Sequence, residues 1–123
     1  MLQVTVTTVA ESQLCPVRDV LTKVMGKWQS LILLALEDGA LRFGVLKRTI
    51  GDITQRVLTE NLRSLERDGH LVRTVHDTSP IAVTYELTPM GQELLNVLKP
   101  LVFWAESSHE RVRLARENYD RVS

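Results

Sequence analysis

Apolar positions recur along most of the chain at three-to-four spacing, with glycines between the runs and alternation in only a few short stretches. Val17, Val20, Leu21 and Val24 predict a first helix that opens behind Cys15-Pro16 and ends near Gly26, since proline suits the first helical position. Trp28, Leu31, Ile32, Ala35 and Leu36 predict a second helix that stops at Asp38-Gly39. After a short extended piece at Leu41-Arg42-Phe43, residues Val45, Leu46 and Ile50 predict a third that closes at Gly51. Asp52 or Thr54 then caps a fourth, with Leu58, Leu62 and Leu65 inward, Val57 on a flank and a stop at Asp68-Gly69. Leu71 to His76 and Val83 to Leu87 read as two strands joined by a turn at Asp77-Thr78-Ser79-Pro80. A last helix starts at Thr88-Pro89 with Leu94, Leu95, Leu98, Leu101, Val102 and Ala105 on one side. Pro100 is expected to kink it, because proline removes a helical hydrogen bond, and Val112, Ala115 and Tyr119 predict that it resumes. Residues 1–14 read as an N-terminal arm in which Val4 and Val6 alternate with Thr5 and Thr7.

The stretch from Gly51 to Leu87 is the most informative. A short helix, a tight turn, an amphipathic helix and a hairpin, in that order, build a winged helix-turn-helix: α+β, mostly α. In such a unit the second helix enters the DNA major groove N-terminus first. Arg56, Thr59, Glu60, Arg63 and Arg67 lie opposite the leucine stripe. Arginine can donate two hydrogen bonds to guanine, glutamine can pair with adenine, and threonine can touch the thymine methyl. Gln55, Arg56 and Thr59 are therefore the candidate base readers. Thr54, with the free N–H groups of the first turn, suits a phosphate. Arg63, Lys47 and Arg73 are candidates for backbone contacts, which set affinity rather than sequence.

Composition bounds the alternatives. A chain of 123 residues with 44% hydrophobic and 24% charged residues is most simply one domain. No apolar run approaches the roughly 18 residues of a membrane span, and no secretory leader is evident. A single cysteine excludes an internal disulfide framework and fits a reducing cytoplasm. Net charge is zero, which argues mildly against DNA, but its distribution is uneven. Residues 42–73 hold seven Lys/Arg against four acids, whereas residues 74–98 hold three acids and no Lys/Arg. A locally basic face can still attract phosphate, although an ordinary solvated surface would look the same.

At this point the residues resemble a family. Cys15-Pro16, Gly26-Lys27-Trp28, Arg42-Phe43, the Ile53-to-Gly69 block, Val83 through Thr88, Gly91 and Trp104 are together similar to the HxlR-type winged helix-turn-helix transcriptional regulators, relatives of the MarR regulators. The resemblance covers residues 15–105 as the winged domain and leaves 106–123 as a C-terminal helical extension. It implies a bacterial, cytoplasmic homodimer on double-stranded DNA. Each subunit would read half of an inverted-repeat operator, and the N- and C-terminal helices would supply the dimer interface. A repressor is the expected sign of regulation. The chain departs from the family at Ala82, where an arginine is common, so a minor-groove contact from the wing is in doubt. His76, Thr78 and Ser79 remain as phosphate partners at the wing tip.

Cys15 precedes the expected first helix, whose dipole favours the thiolate, and Arg18 is one turn away. In redox-responsive members of the resembled family a cysteine at the matching position answers quinones, electrophiles or oxidants, which makes Cys15 the candidate sensor and a small electrophile, oxidant or other inducer the candidate signal. With no second cysteine in the chain, oxidation leads to a bridge between two copies, a mixed disulfide or a higher oxide. A bridge needs the two Cα atoms within about 7 Å. The other reading of Cys15 is a small buried hydrophobe.

Other chemistry is absent from the pattern. His70, His76 and His109 with one cysteine offer no metal-ligand spacing, no cofactor motif or glycine-rich phosphate loop occurs, and no catalytic constellation is visible. Trp28 and Trp104 read as core or interface residues. The expectation is a dimeric DNA-binding regulator and not an enzyme. The alternative is a winged-helix protein-interaction module without DNA binding.

Overall fold

The structure is a computed structural model, which describes residues 26–122 together with Asp19, Leu21 and Thr22, all three helical. The arm, Cys15-Pro16 and the positions Val17, Val20 and Val24 of the expected first helix lie outside the described residues. The elements run α1 (Lys27–Ala35), β1 (Leu41–Arg42), α2 (Phe43–Ile50), α3 (Gln55–Arg67), β2 (Leu71–His76), β3 (Ala82–Leu87) and α4 (Pro89–Val122). The three strands form one antiparallel sheet in the order β1-β3-β2. Arg42 pairs with Thr84 on one side of β3, and β2 pairs along its full length on the other, from Leu71 opposite Leu87 to His76 opposite Ala82. This is a winged helix-turn-helix: α2 and α3 are the helix pair, and β2 and β3 are the wing.

Local sequence accounts for the breaks. Thr54 is the N-cap of α3, its hydroxyl oxygen accepting the Val57 N–H at 3.2 Å, as a short oxygen-bearing side chain at that position does. Gly51 ends α2 at φ 100° and Gly69 follows α3 at φ 83°, left-handed values that glycine adopts without a Cβ clash. The three leucines expected to face inward from α3, Leu58, Leu62 and Leu65, are all buried. They meet Ile32, Leu33 and Leu36, Leu46, Ile53, Leu71, and Leu95 and Leu98 of α4 in one core. The position of α3 is thereby fixed by a core shared with α1, α2, β2 and α4.

Two expectations are revised. On α1 the buried positions are Gln29, Ile32 and Leu33, with Leu36 just beyond, while Leu31 is 38% exposed. From Leu31 to Leu36 every residue is apolar, so periodicity could not choose the face. Gln29 is buried because its side-chain amide donates to Ser64 Oγ at 3.3 Å, joining α1 to the back of α3. On α4 the helix runs unbroken through Pro100 for 34 residues, and the division at 105/106 falls inside it. Leu95 and Leu98 are buried, whereas Leu101 and Ala105, expected on the same side, are exposed, and it is Lys99, Val102, Phe103 and Glu106 that lie beside Leu34 and Glu37.

Candidate nucleic-acid interface

The outward face of α3 is polar because the leucine stripe uses the opposite side, at the helical spacing that separates the two faces. Gln55 and Arg56 occupy the first turn, which has no acidic residue. A cation there and the positive end of the helix dipole add rather than cancel, which favours an anion at the start of α3. The Arg56 side chain is 87% exposed, and its Nε–H donates to Glu60 Oε1 at 3.1 Å. Thr59, one turn after Gln55, donates its hydroxyl to the Gln55 carbonyl at 2.8 Å, which leaves its methyl and oxygen lone pairs for a ligand. Thr54 is exposed at the N-cap; its oxygen accepts from Val57 while its O–H stays able to donate.

The wing brings a second group to this face. Arg73 of β2 is opposite Tyr85 of β3, and both line a groove of about 360 Å³ with Thr59, Leu62, Arg63 and Glu66 of α3. Arg63 and Arg73, assigned separately from the sequence to backbone contacts, thus converge from two elements on one groove. Glu66 and Tyr85 are the members of it that sequence reasoning passed over. Nothing in their local pattern marked them, because the groove exists only once β2 and β3 are paired and laid beside α3. Glu60 was placed on the polar face but given no role; its signal was the four-residue spacing from Arg56.

The remaining candidates sit apart. Lys47 is half-buried in the last turn of α2, where with Arg48 it complements the negative helix end. At the wing tip His76 Nε2 is 2.9 Å from Thr84 Oγ1. The Thr78 hydroxyl donates to the Pro80 carbonyl at 2.6 Å, so its hydrogen is engaged inside the turn. Ser79 is exposed. Ala82 is buried at the base of the tip rather than presented to solvent, and no Lys or Arg occurs between Arg73 and Lys99. The cationic side chains of this face therefore belong to α3 and the root of the wing, not to its tip.

Among the described residues no group of His, Cys, Asp and Glu comes together that could hold a metal ion, and no helix is long and apolar enough to cross a membrane. Cys15 lies outside the described residues.

Comparisons with known proteins bear on the family and the fold. The profile of the HxlR-like helix-turn-helix family matches residues 23–113. The HTH-type transcriptional regulator YtfH of Escherichia coli K12, itself uncharacterised, is 38% identical over 103 residues, spanning 84% of this chain and 82% of its own. The solved structure of the YtfH regulator from Salmonella typhimurium superposes with a TM-score of 0.79 at 37% identity, covering 87% of this chain and 96% of that one. The redox regulator HypR in its oxidised form gives a TM-score of 0.71 at 39% identity, covering 76% of this chain and 96% of that one.

Proposed function

The chain belongs to the HxlR-like helix-turn-helix family and is an HTH-type transcriptional regulator, not an enzyme; from that premise we propose that it is a homodimeric repressor which reads an inverted-repeat operator with α3. The observation that carries this reading is the convergence of Arg56, Thr59, Arg63 and Arg73 on one exposed face whose first turn is free of acids. In this reading Gln55, Arg56 and Thr59 meet base edges, and Thr54, Arg63, Lys47 and Arg73 meet phosphates, with Ser79 and His76 as weaker partners at the tip. The dimer forms through α4 with help from the N-terminal helix, which sets two copies of α3 about 34 Å apart, one turn of the duplex.

Cys15 is the proposed point at which a signal enters. Its support is its place before Pro16 in the sequence and the likeness to HypR, a redox regulator by its description. An electrophile or oxidant that favours one arrangement of the two recognition helices over the other would change DNA affinity by that difference and no more.

The test is fluorescence anisotropy with duplexes from the DNA upstream of its own gene, at two salt concentrations, before and after a thiol oxidant. Affinity that falls steeply with salt, by counterion release, and is reversibly lost on oxidation supports both parts. Binding indifferent to oxidant, or an equal loss in Cys15→Ser, removes Cys15 and keeps the regulator. No salt-sensitive binding turns the reading toward a protein-interaction module.

A further inference from the structure

Glu60 is the one carboxylate between Gln55 and Ser64, and it stands with Arg56 near the centre of the face proposed to meet DNA. A negative charge there opposes the phosphates unless something compensates it. Helix stability does not explain the pair. Its order is the less favourable one, with the cation in the first turn and the anion four residues later, against the helix dipole. Both side chains are well exposed, at 87% and 60%, where an ion pair contributes little to folding.

The geometry of the contact explains it better. The bond runs from Arg56 Nε to Glu60 Oε1 at 3.1 Å, so it holds the guanidinium from its side. Of the five N–H donors of an arginine, the four on the two terminal nitrogens are left, and among the described residues they have no other partner. A guanine presents O6 and N7 as two neighbouring acceptors in the major groove, and an arginine meets them with a pair of parallel donors. An unrestrained arginine must give up rotamer freedom to do so. One already held at Nε has given up part of it before DNA arrives.

We propose that Glu60 is a positioning residue for base readout: it orients Arg56 so that the terminal guanidinium nitrogens read a guanine in each half-site. The inference rests on the DNA-reading role of α3 proposed above. Glu60 itself touches no base, and its charge is neutralised by the side chain it holds.

The experiment selects binding sites from a pool of randomised duplexes with the wild-type protein, Arg56→Ala, Glu60→Ala and Glu60→Gln. Anisotropy then measures each protein on the selected duplex and on single base-pair variants at the Arg56-dependent position. Wild type should prefer guanine there by roughly five- to a hundredfold, the value of one good bidentate contact. Glu60→Ala should lower that ratio by up to about fivefold, at the same base pair as Arg56→Ala, while Glu60→Gln, whose amide oxygen still accepts from Nε, should keep most of it. Two results overturn the proposal while leaving the DNA reading intact. In one, Glu60→Ala tightens every duplex evenly with the guanine ratio unchanged, which makes Glu60 a repulsive charge only. In the other, the lost preference falls at a different base pair, which makes Glu60 a reader in its own right. If wild type itself selects no sequence and binds no duplex, the proposal and the reading beneath it fall together.

Discussion

At the scale of single residues, the interface and the fold make opposite demands on side chains. Arg56 is exposed and contributes little to the folded domain. Arg56→Ala is therefore expected to leave stability nearly unchanged, to weaken operator binding by about 1–3 kcal/mol and to relax preference at one base pair. Lys47→Ala is expected to weaken all sequences evenly, as a phosphate contact does. Anisotropy against operator and scrambled duplexes separates the two; an Arg56→Ala protein with unchanged affinity and preference would mean that α3 is not the reading helix. Gly91 is the converse case. A Cβ built there would lie 1.9 Å from the His70 carbonyl oxygen, where the first turn of α4 is tied to the end of α3. The Thr88 N–H donates to that same oxygen at 3.1 Å, and the Gly91 N–H donates to Thr88 Oγ1 at 3.0 Å. Gly91→Ala must push α4 off the core, at a cost of about 1–3 kcal/mol or more. A urea midpoint equal to that of wild type would show that α4 accommodates a methyl group there without leaving the core.

Among the elements, what could be read from the sequence tracks how well one face is distinguished from the other. α3 was fully legible, because three leucines at helical spacing stand against a polar remainder and a capping threonine and a glycine bracket them. The cap gives a direct check: Thr54→Ala should destabilise the domain by about 0.5–2 kcal/mol in denaturant unfolding. A negligible change would show that α3 is ordered by its buried face alone. α1 was legible as a helix but not in its orientation, since its apolar run offers no contrast and its one buried polar residue, Gln29, is explained only by Ser64 on a distant element. α4 was legible at both ends but not across Pro100. The sequence cue for a break is local, whereas the helix beyond it is held by Arg113, which bridges Glu110 and Glu117 on the turns before and after it. The groove between α3 and the wing was not legible at all. Arg63 and Arg73 are ten positions apart on different elements, and only the antiparallel pairing of β2 with β3 places Arg73 beside Tyr85 and opposite Arg63.

For the whole molecule the question is how a small domain with no net charge can select a site on DNA. In the proposed reading one copy of α3 spans a single half-site, so its few base contacts would give modest discrimination. Two copies held rigidly multiply it, because the second half-site is then bound at a high effective concentration. α4 is suited to hold them. At 34 residues it is about 50 Å long, and Val97, Leu101, Trp104, Val112 and Val122 are exposed along one side of it, with the buried Ser108 between Trp104 and Val112. Apolar residues lined up in an exposed stripe of this kind mark a candidate contact surface. Trp104→Glu puts a charge in the middle of the stripe without touching the core, of which Trp104 is not part. The variant is expected to sediment near the 14.0 kDa of one chain while retaining wild-type helical content. It should also lose most of its affinity for a full inverted repeat and keep its weak affinity for an isolated half-site. Sedimentation across a concentration series, paired with anisotropy on full and half sites, decides the matter. A Trp104→Glu protein that remains dimeric and binds the full repeat as wild type does would place the dimer contact elsewhere on the chain. A wild type that is already monomeric would remove the geometric basis for reading an inverted repeat.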